Sequence, residues 1–424
     1  MRIALITAES PLRPAHGTLH ETALARAMAA RGHRVTIYCR SEQAGRPRTA
    51  ILGPGVNVEF VPAGPARQLT PEQAATHLPA FAAYLSDRWR TKRPDVVHAF
   101  SWTAGLAALG AVRGTDIPVV QSFGSLGIAE RRIPGSSVPA CRITLEQSIG
   151  RAADALLASS TEEAADLARL SVPKTSVRVI PHGIDTGLFT PQGPVADSGA
   201  RARVITFAAT PDAPGVDAVI RAVAQLPGVE LVIVGGPDAR HLPKSGPFRE
   251  LARLATELRI RNRVVFAGQP AEAELPALLR SANVLASASP HEPDGVAAVQ
   301  AMACGVPVVV SGVGAHRDAI TNGINGLLVA PRHAAMLAHR LHHLLTNRAL
   351  LQAYGIAAAD RARSRYGIDR IAQETIATYE RCIRARSAAA SIEADLAELD
   401  AELDAELEGA AELELGLRGA VALA

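Results

Sequence analysis

Apolar runs and helical patterns alternate along this chain from its first residues. "RIALIT" is unbroken and apolar, and "LHETALARAMAARGH" follows with Leu19, Ala23 and Ala27 at helical spacing and Gly32 where the helix should stop. "RVTIYC", "VNVEFVP" and "DVVHAF" read as further strands, with a helix expected over residues 71–92. A helix through "AGLAALGAVRG" leads to the strand "IPVVQSF", and one ending near Arg151 leads to "ADALLAS". "STEEAADLARL" carries a helix N-cap and an acidic first turn, and "SVRVIPHG" closes the series.

After the Gly- and Pro-rich "DTGLFTPQGPVADSGARA" the alternation restarts. "RVITFAA", "GVELVIVGG", "RVVFAG", "ANVLASA", "VPVVVSG" and "GLLVAP" are strands with helices between them. Strands alternating with helices predict an α/β protein with doubly wound parallel sheets. Two such series predict two Rossmann-like domains, with ligand in the cleft at the carboxyl ends of the strands. The expected boundaries are residues 1–190 for the first domain, 191–202 for a linker and 203–368 for the second domain. Residues 369–390 should form a helix returning to the first domain, and residues 391–424 an acidic tail of low complexity.

Composition narrows this picture little: 48% hydrophobic and 20% charged residues suit a folded soluble chain. The four cysteines, Cys39, Cys141, Cys304 and Cys382, have no metal spacing and read as buried small hydrophobes in a reducing cytosol. The first residues are too short an apolar run for a signal peptide, and no run is long enough to span a bilayer. A cytoplasmic protein, at most peripheral on the inner face of a membrane, is expected. Charge adds more. Ten of the 41 acidic residues and one of the 44 basic ones lie from Ser391 onward, which leaves residues 1–390 with a net charge of +12. That body would attract phosphorylated ligands or an anionic membrane, or is simply a solvated basic surface. "YLSDRWRTKRPD" joins Trp89 to Arg88, Arg90, Lys92 and Arg93 and has the same two readings: contact with anionic lipid, or a basic helix end. The acidic tail is either frayed or a docking element for a protein partner. No nucleic-acid partner is expected.

The chemistry concentrates in "SPHEPDGVAAVQAMACG", residues 289–305. Here a loop carrying His291 and Glu292 enters a helix at Gly295 and Val296, and Gln300 lies two turns along it. Free N–H groups at a helix start suit a diphosphate. Glu292 can accept hydrogen bonds from ligand hydroxyls there. Gly314, in "SGVG", and Gly268, after "RVVFA", allow close backbone approach. Together with "GTLHETALARAMAARGHRVTIY", "PDVVHAF", "PVVQSFGSLG" and "RVIPHGIDTGLFTP", this collinear set resembles the retaining GT-B glycosyltransferases of family 4 (group 1), closest to their actinobacterial-type branch. The resemblance covers roughly residues 1–385.

The resemblance implies a GT-B fold and transfer of a hexosyl group from a nucleotide-diphosphate sugar, UDP- or GDP-type. The acceptor would be small and polar, phosphorylated or lipid-linked, and the transfer would retain configuration without metal or other cofactor. It makes Glu292 the catalytic carboxylate, facing the transferred sugar. It assigns Gly17, Gly268, His291, Gly295, Val296, Gln300 and Gly314 to the nucleotide sugar, and His98, Arg131 and Arg132 to the acceptor side. Several family positions are altered. Ala209 and Pro214 stand where an Arg and a Lys neutralise the leaving diphosphate, and Gly124 stands where a His contacts the sugar. Gln300 replaces a second Glu, and Asp294 replaces a Phe. Loss of one preorganised donor or cation costs about 10²–10³ in rate. The alternative expectation is therefore an inactive pseudo-glycosyltransferase that binds ligand or a partner enzyme.

Overall fold

The computed structural model describes residues 1–8, 10–12, 18–133, 135–208, 214–236, 241, 245–392 and 396. The first half forms an eight-stranded sheet. Its strands are β1 (Arg2–Thr7), β2 (Arg34–Arg40), β3 (Thr49–Gly53), β4 (Val56–Val61), β5 (Val96–Phe100), β6 (Val119–Ser122), β7 (Ala155–Ala158) and β8 (Val177–Val179), in the order β3-β4-β2-β1-β5-β6-β7-β8. All neighbours pair in parallel except β3, which runs antiparallel to β4. Helices cover both faces, which is why β5, β6 and β7 are buried along their whole length.

The second half forms a six-stranded, wholly parallel sheet. It comprises β9 (Ala202–Phe207), β10 (Val229–Val234), β11 (Val264–Gly268), β12 (Val284–Ser287), β13 (Val308–Ser311) and β14 (Gly326–Val329), in the order β11-β10-β9-β12-β13-β14. The chain builds outward from β9 in one direction, then restarts on its other side at β12. Between β9 and β12 lies the topological switch point, where an open α/β sheet leaves a crevice at its carboxyl edge. The loop after β12 holds Glu292.

The two halves are tied where the chain crosses between them. Ile184 N donates to Tyr366 O at 2.8 Å and Ile368 N to Ile184 O at 2.8 Å, so the outgoing and returning segments run side by side. A helix over residues 368–392 then packs on the first domain. Its Ile371, Ala372, Ile376, Tyr379 and Cys382 enter the core formed by β1, β2 and the helix Thr18–Ala30. Arg31 pairs with Asp369 at 2.8 Å and Arg386 with Asp154 at 2.6 Å, fastening both ends of that contact.

Four expectations need correction. The helix expected over residues 71–92 is two helices, Pro71–Ala75 and Leu78–Thr91. Pro79 lacks an N–H and clashes with a preceding turn, so one continuous helix cannot pass it. The strand β3 was absent from the expected series; Pro54-Gly55 turns it back on β4 with Gly55 at φ 74°. Cys141 is exposed at a helix start, unlike Cys39, Cys304 and Cys382. Trp89 is 4% exposed and packs edge-on against Tyr38, so it is not available to rest on lipid. No helix among the described residues is long and apolar enough to cross a membrane.

Candidate functional site

The loop between β12 and the helix Val296–Ala303 is shaped by short-range hydrogen bonds. Ser289 Oγ donates to His291 O at 2.5 Å and Ser311 Oγ donates to Ser289 O at 2.6 Å. Asp294 Oδ1 accepts the Val296 N–H at 3.0 Å, and Gly295 enters the helix at φ 64°. One free donor at this helix start is therefore occupied by the chain's own carboxylate, which removes Val296 N from the set facing the cleft. Asp294 Oδ2 turns toward His182 Nδ1 at 3.9 Å.

Gly314 fixes Glu292. A side chain there would place its Cβ 1.9 Å from Glu292 O, and the same carbonyl accepts the Ala315 N–H at 2.9 Å. The Glu292 Oε2 atom lies 3.8 Å from His316 Nε2. Burial, reinforced by the negative charge of Asp294, pushes the Glu292 carboxyl up to about 8, against the pull of the Gly295 N–H. The 22% of its side chain that reaches solvent tempers that rise. Burial holds His316 down at about 4, and its Nδ1 donates to Ser311 O at 3.2 Å. Neutral His316 therefore turns a bare Nε2 lone pair toward Glu292. At neutral pH the pair offers one acid hydrogen and several acceptors, a set suited to hydroxyl groups.

The first domain closes on this loop through separate contacts. Ser125 Oγ meets His291 Nε2 at 3.0 Å, and Ser159 Oγ donates to Pro293 O at 2.7 Å. Glu162 Oε2 accepts the Gly314 N–H at 2.9 Å, and Asp318 accepts the N–H and hydroxyl of Thr161 at 2.7 and 2.6 Å. Gly124 and Ser125 share one small cavity with Glu162, His291 and Gly314. A more open cleft beside it is lined by Arg132, Arg169 and Arg317 among others.

The sequence-derived site residues separate into groups. His291, Glu292, Gly295, Gly314 and Gly124 meet at the domain junction, as just described. Gln300 is 5% exposed on the helix behind the loop. Gly268 ends β11 at φ 67°, and its carbonyl accepts the Gly235 N–H at 2.7 Å. Pro214 is exposed and precedes Gly215, whose Cβ would sit 2.5 Å from Ala288 O, so Pro214 lies beside the start of the Glu292 loop. Gly17 and Ala209 lie outside the described residues. His98 is 1% exposed with both ring nitrogens engaged, Nδ1 to the Tyr379 hydroxyl at 2.6 Å and Nε2 to Ser122 Oγ at 2.9 Å. Burial drives it down to about 3, so it joins the first domain to the returning helix as a neutral ring. Arg131 is exposed and reaches Val138 O at 3.1 Å. Arg132 and Arg169 both pair with the buried Asp166.

Three participants escaped the sequence reading. Arg142 pairs with Glu130 and Glu146 at 2.8 Å each and donates to Ser125 O at 2.9 Å, which places a half-buried cation behind the Ser125–His291 contact. His20 stacks on His182 with ring centres 4.0 Å apart. Glu163 lines the cavities on both sides of Gly124. The i,i+4 spacings of Arg142 with Glu146 and of Ser159 with Glu163 were local signals; the stacking of His20 on His182 depends on elements distant in sequence. Among the described residues no cluster of His, Cys, Asp or Glu could hold a metal ion.

Comparison with known proteins follows the same division of the chain. Residues 20–183 match a glycosyl transferase 4-like domain, and residues 200–361 match the glycosyl transferases group 1 family. A D-inositol 3-phosphate glycosyltransferase from Xylanimonas cellulosilytica is 33% identical over 393 residues, covering 86% of this chain and 91% of that protein. One of the same description from Streptomyces bingchenggensis is 31% identical, covering 90% of each. Among solved structures, a sucrose-phosphate synthase from Thermosynechococcus elongatus superposes with a TM-score of 0.84 at 26% identity, over 91% of this chain and 99% of that one. Anabaena HepE, solved with UDP and glucose, has a TM-score of 0.70 at 20% identity, over 90% and 99%, and shares the fold.

Proposed function

Because the chain belongs to the group 1 glycosyltransferases, with two GT-B domains facing across a cleft, we propose that it transfers a hexosyl group with retention from a nucleoside-diphosphate sugar to a small phosphorylated polyol. The observation that carries this reading is the Glu292–His316 pair at the carboxyl edge of β12, held by Gly314 beneath a lid made by the first domain. The sugar would lie against Glu292 and His316, with its diphosphate toward the helix start at Gly295 and its ribose toward Gln300. The bond from the anomeric carbon to the phosphate oxygen breaks as the acceptor oxygen attacks from the same face. The departing phosphate receives the acceptor's proton. Glu292 and His316 hold sugar hydroxyls, and His291 orients the sugar beside Ser125. The inositol phosphate named for the curated relatives supports a phosphorylated acceptor, and Arg317 in the open cleft suits that charge, beside Arg132 and Arg169, which are already paired with Asp166.

A second reading, ligand binding without efficient turnover, is favoured by Pro214 and Gly124. The first puts an uncharged ring beside the Glu292 loop, and the second leaves open space where a side chain would reach the cleft. One experiment separates the two. Calorimetry with UDP, GDP and their sugars, and turnover with inositol phosphate, are measured on the native protein and on Ala209→Arg, Pro214→Lys, Gln300→Glu combined. Binding with turnover in the native protein supports transfer, and binding with turnover only in the variant supports the second reading. Absence of nucleotide binding in both rejects the site.

A further inference from the structure

Ser159 Oγ stands 2.6 Å from Glu163 Oε2 and 2.7 Å from the main-chain oxygen of Pro293 in the opposite domain. A serine has one hydroxyl proton, and a carboxylate and a carbonyl are both acceptors. With Glu163 ionised, one of these short oxygen–oxygen contacts holds no hydrogen. A proton on Glu163 completes both: Oε2–H donates to Oγ, and Oγ–H donates to Pro293 O. The other oxygen, Oε1, is buried with no hydrogen-bond partner, in a residue only 9% exposed. A neutral carbonyl oxygen tolerates that position at far lower cost than a charged one. Glu163 also belongs to an ordinary helix cap, since its N–H donates to Ser160 Oγ at 3.2 Å and its Oε2 accepts the Ser159 N–H at 2.7 Å. Capping accounts for those two bonds and leaves the contact with Pro293 and the lone Oε1 unexplained.

We propose that Glu163 is a positioning residue carried as the neutral acid, whose proton commits Ser159 to the Pro293 carbonyl and so couples closure of the first domain over Glu292 to uptake of one proton. Burial raises the Glu163 carboxyl, and the negative charges of Asp166 and Glu146 act in the same direction against the Ser159 contacts. Asp166 is paired with Arg132 and Arg169, Glu146 with Arg142, and Glu162 holds the Gly314 N–H. His20, His98 and His182 line the cavity on one side of Glu163 and His291 the cavity on the other, all lowered by burial and neutral at pH 7. The returning helix contributes Ile371 and Thr375 and no charge to that cavity.

The inference rests on the proposed function only for its probe, UDP. The full chain is compared with Glu163→Gln, whose amide nitrogen can donate to Ser159 Oγ as the acid does but cannot also accept the Ser159 N–H, and with Ser159→Ala, by calorimetric titration with UDP and by thermal unfolding without ligand, from about pH 5 to 8.5. A group whose pKa is raised in the closed protein favours closure fully below the usual carboxylate range and loses that contribution as pH rises through the raised value. Native UDP affinity should fall at least about threefold from pH 5 to 8.5, and Glu163→Gln, which has no proton to lose, should not show that fall. Ser159→Ala should lose the same fall, because no hydroxyl remains between Glu163 and the Pro293 carbonyl. A Glu163→Gln or Ser159→Ala protein that keeps the native pH slope overturns the proposal. If the native protein binds no UDP, the proposed function fails on its own, and the ligand-free unfolding curves still decide this inference.

Discussion

At the residue scale the site depends on one backbone position. Gly314 adopts φ 50° with Glu292 O so close that no side chain fits between them. Gly314→Ala must therefore displace the Glu292 loop or the Glu162 contact, at a cost of at least about 2 kcal/mol. Urea denaturation would measure that loss, and UDP affinity should fall with it. Gly312→Ala is the control, because a Cβ at Gly312 meets only ordinary contacts, the nearest 3.8 Å away at Leu328. Equal stability of the two variants would show that Gly314 does not hold the loop. Asp294 illustrates a different point. From sequence it is a carboxylate beside an anion site; in place it caps the helix through Val296 N and faces His182. Its charge also acts on Glu292, whose proton it helps retain.

At the element scale the domain junction is held by the returning helix. Tyr379 is fully buried and its hydroxyl meets His98 Nδ1 at 2.6 Å, which links that helix to β5. Tyr379→Phe leaves His98 Nδ1 without a partner in a site closed to water and should cost about 1–3 kcal/mol. Chemical denaturation checks this, and an unchanged midpoint would mean that the ring alone secures the helix. The strands were legible in sequence because parallel strands buried on both faces are continuous apolar runs, as in "RIALIT" and "VPVVVSG". The weaker signals were missed. Pro54-Gly55 marks the β3–β4 turn and Pro79 marks the helix break, but no strand was expected over residues 49–53 and one continuous helix was expected over residues 71–92. The order of the site loop was legible, and its partners were not. Ser125 and His291 lie 166 residues apart and Ser159 and Pro293 134 apart, and nothing local in the sequence joins them.

At the scale of the whole molecule the buried titratable groups pull stability in opposite directions with pH. His20, His98, His182, His291 and His316 all have lowered pKa values, chiefly from burial. Their contribution is complete above the unfolded value near 6.5 and is lost as pH falls, through about 4 for His316 and about 3 for His98. Glu146, Glu163 and Glu292 have raised values, so their contribution is complete below the usual carboxylate range and is lost as pH rises, up to about 8 for Glu292. Between roughly pH 6.5 and 4.5 the histidines outnumber the acids, and each unmatched group is worth up to about 1.4 kcal/mol per pH unit. Above pH 6.5 Glu292, raised to about 8, continues to lose its contribution. Stability should therefore peak between about pH 6 and 7 and fall on both sides, more steeply in acid. Denaturant midpoints taken from pH 4.5 to 8.5 test the shape, and His98→Gln, which removes a histidine held down at about 3, should flatten the acid limb. A midpoint that keeps rising as pH falls to 4.5 would mean that the histidines at the junction are not held neutral in the folded chain.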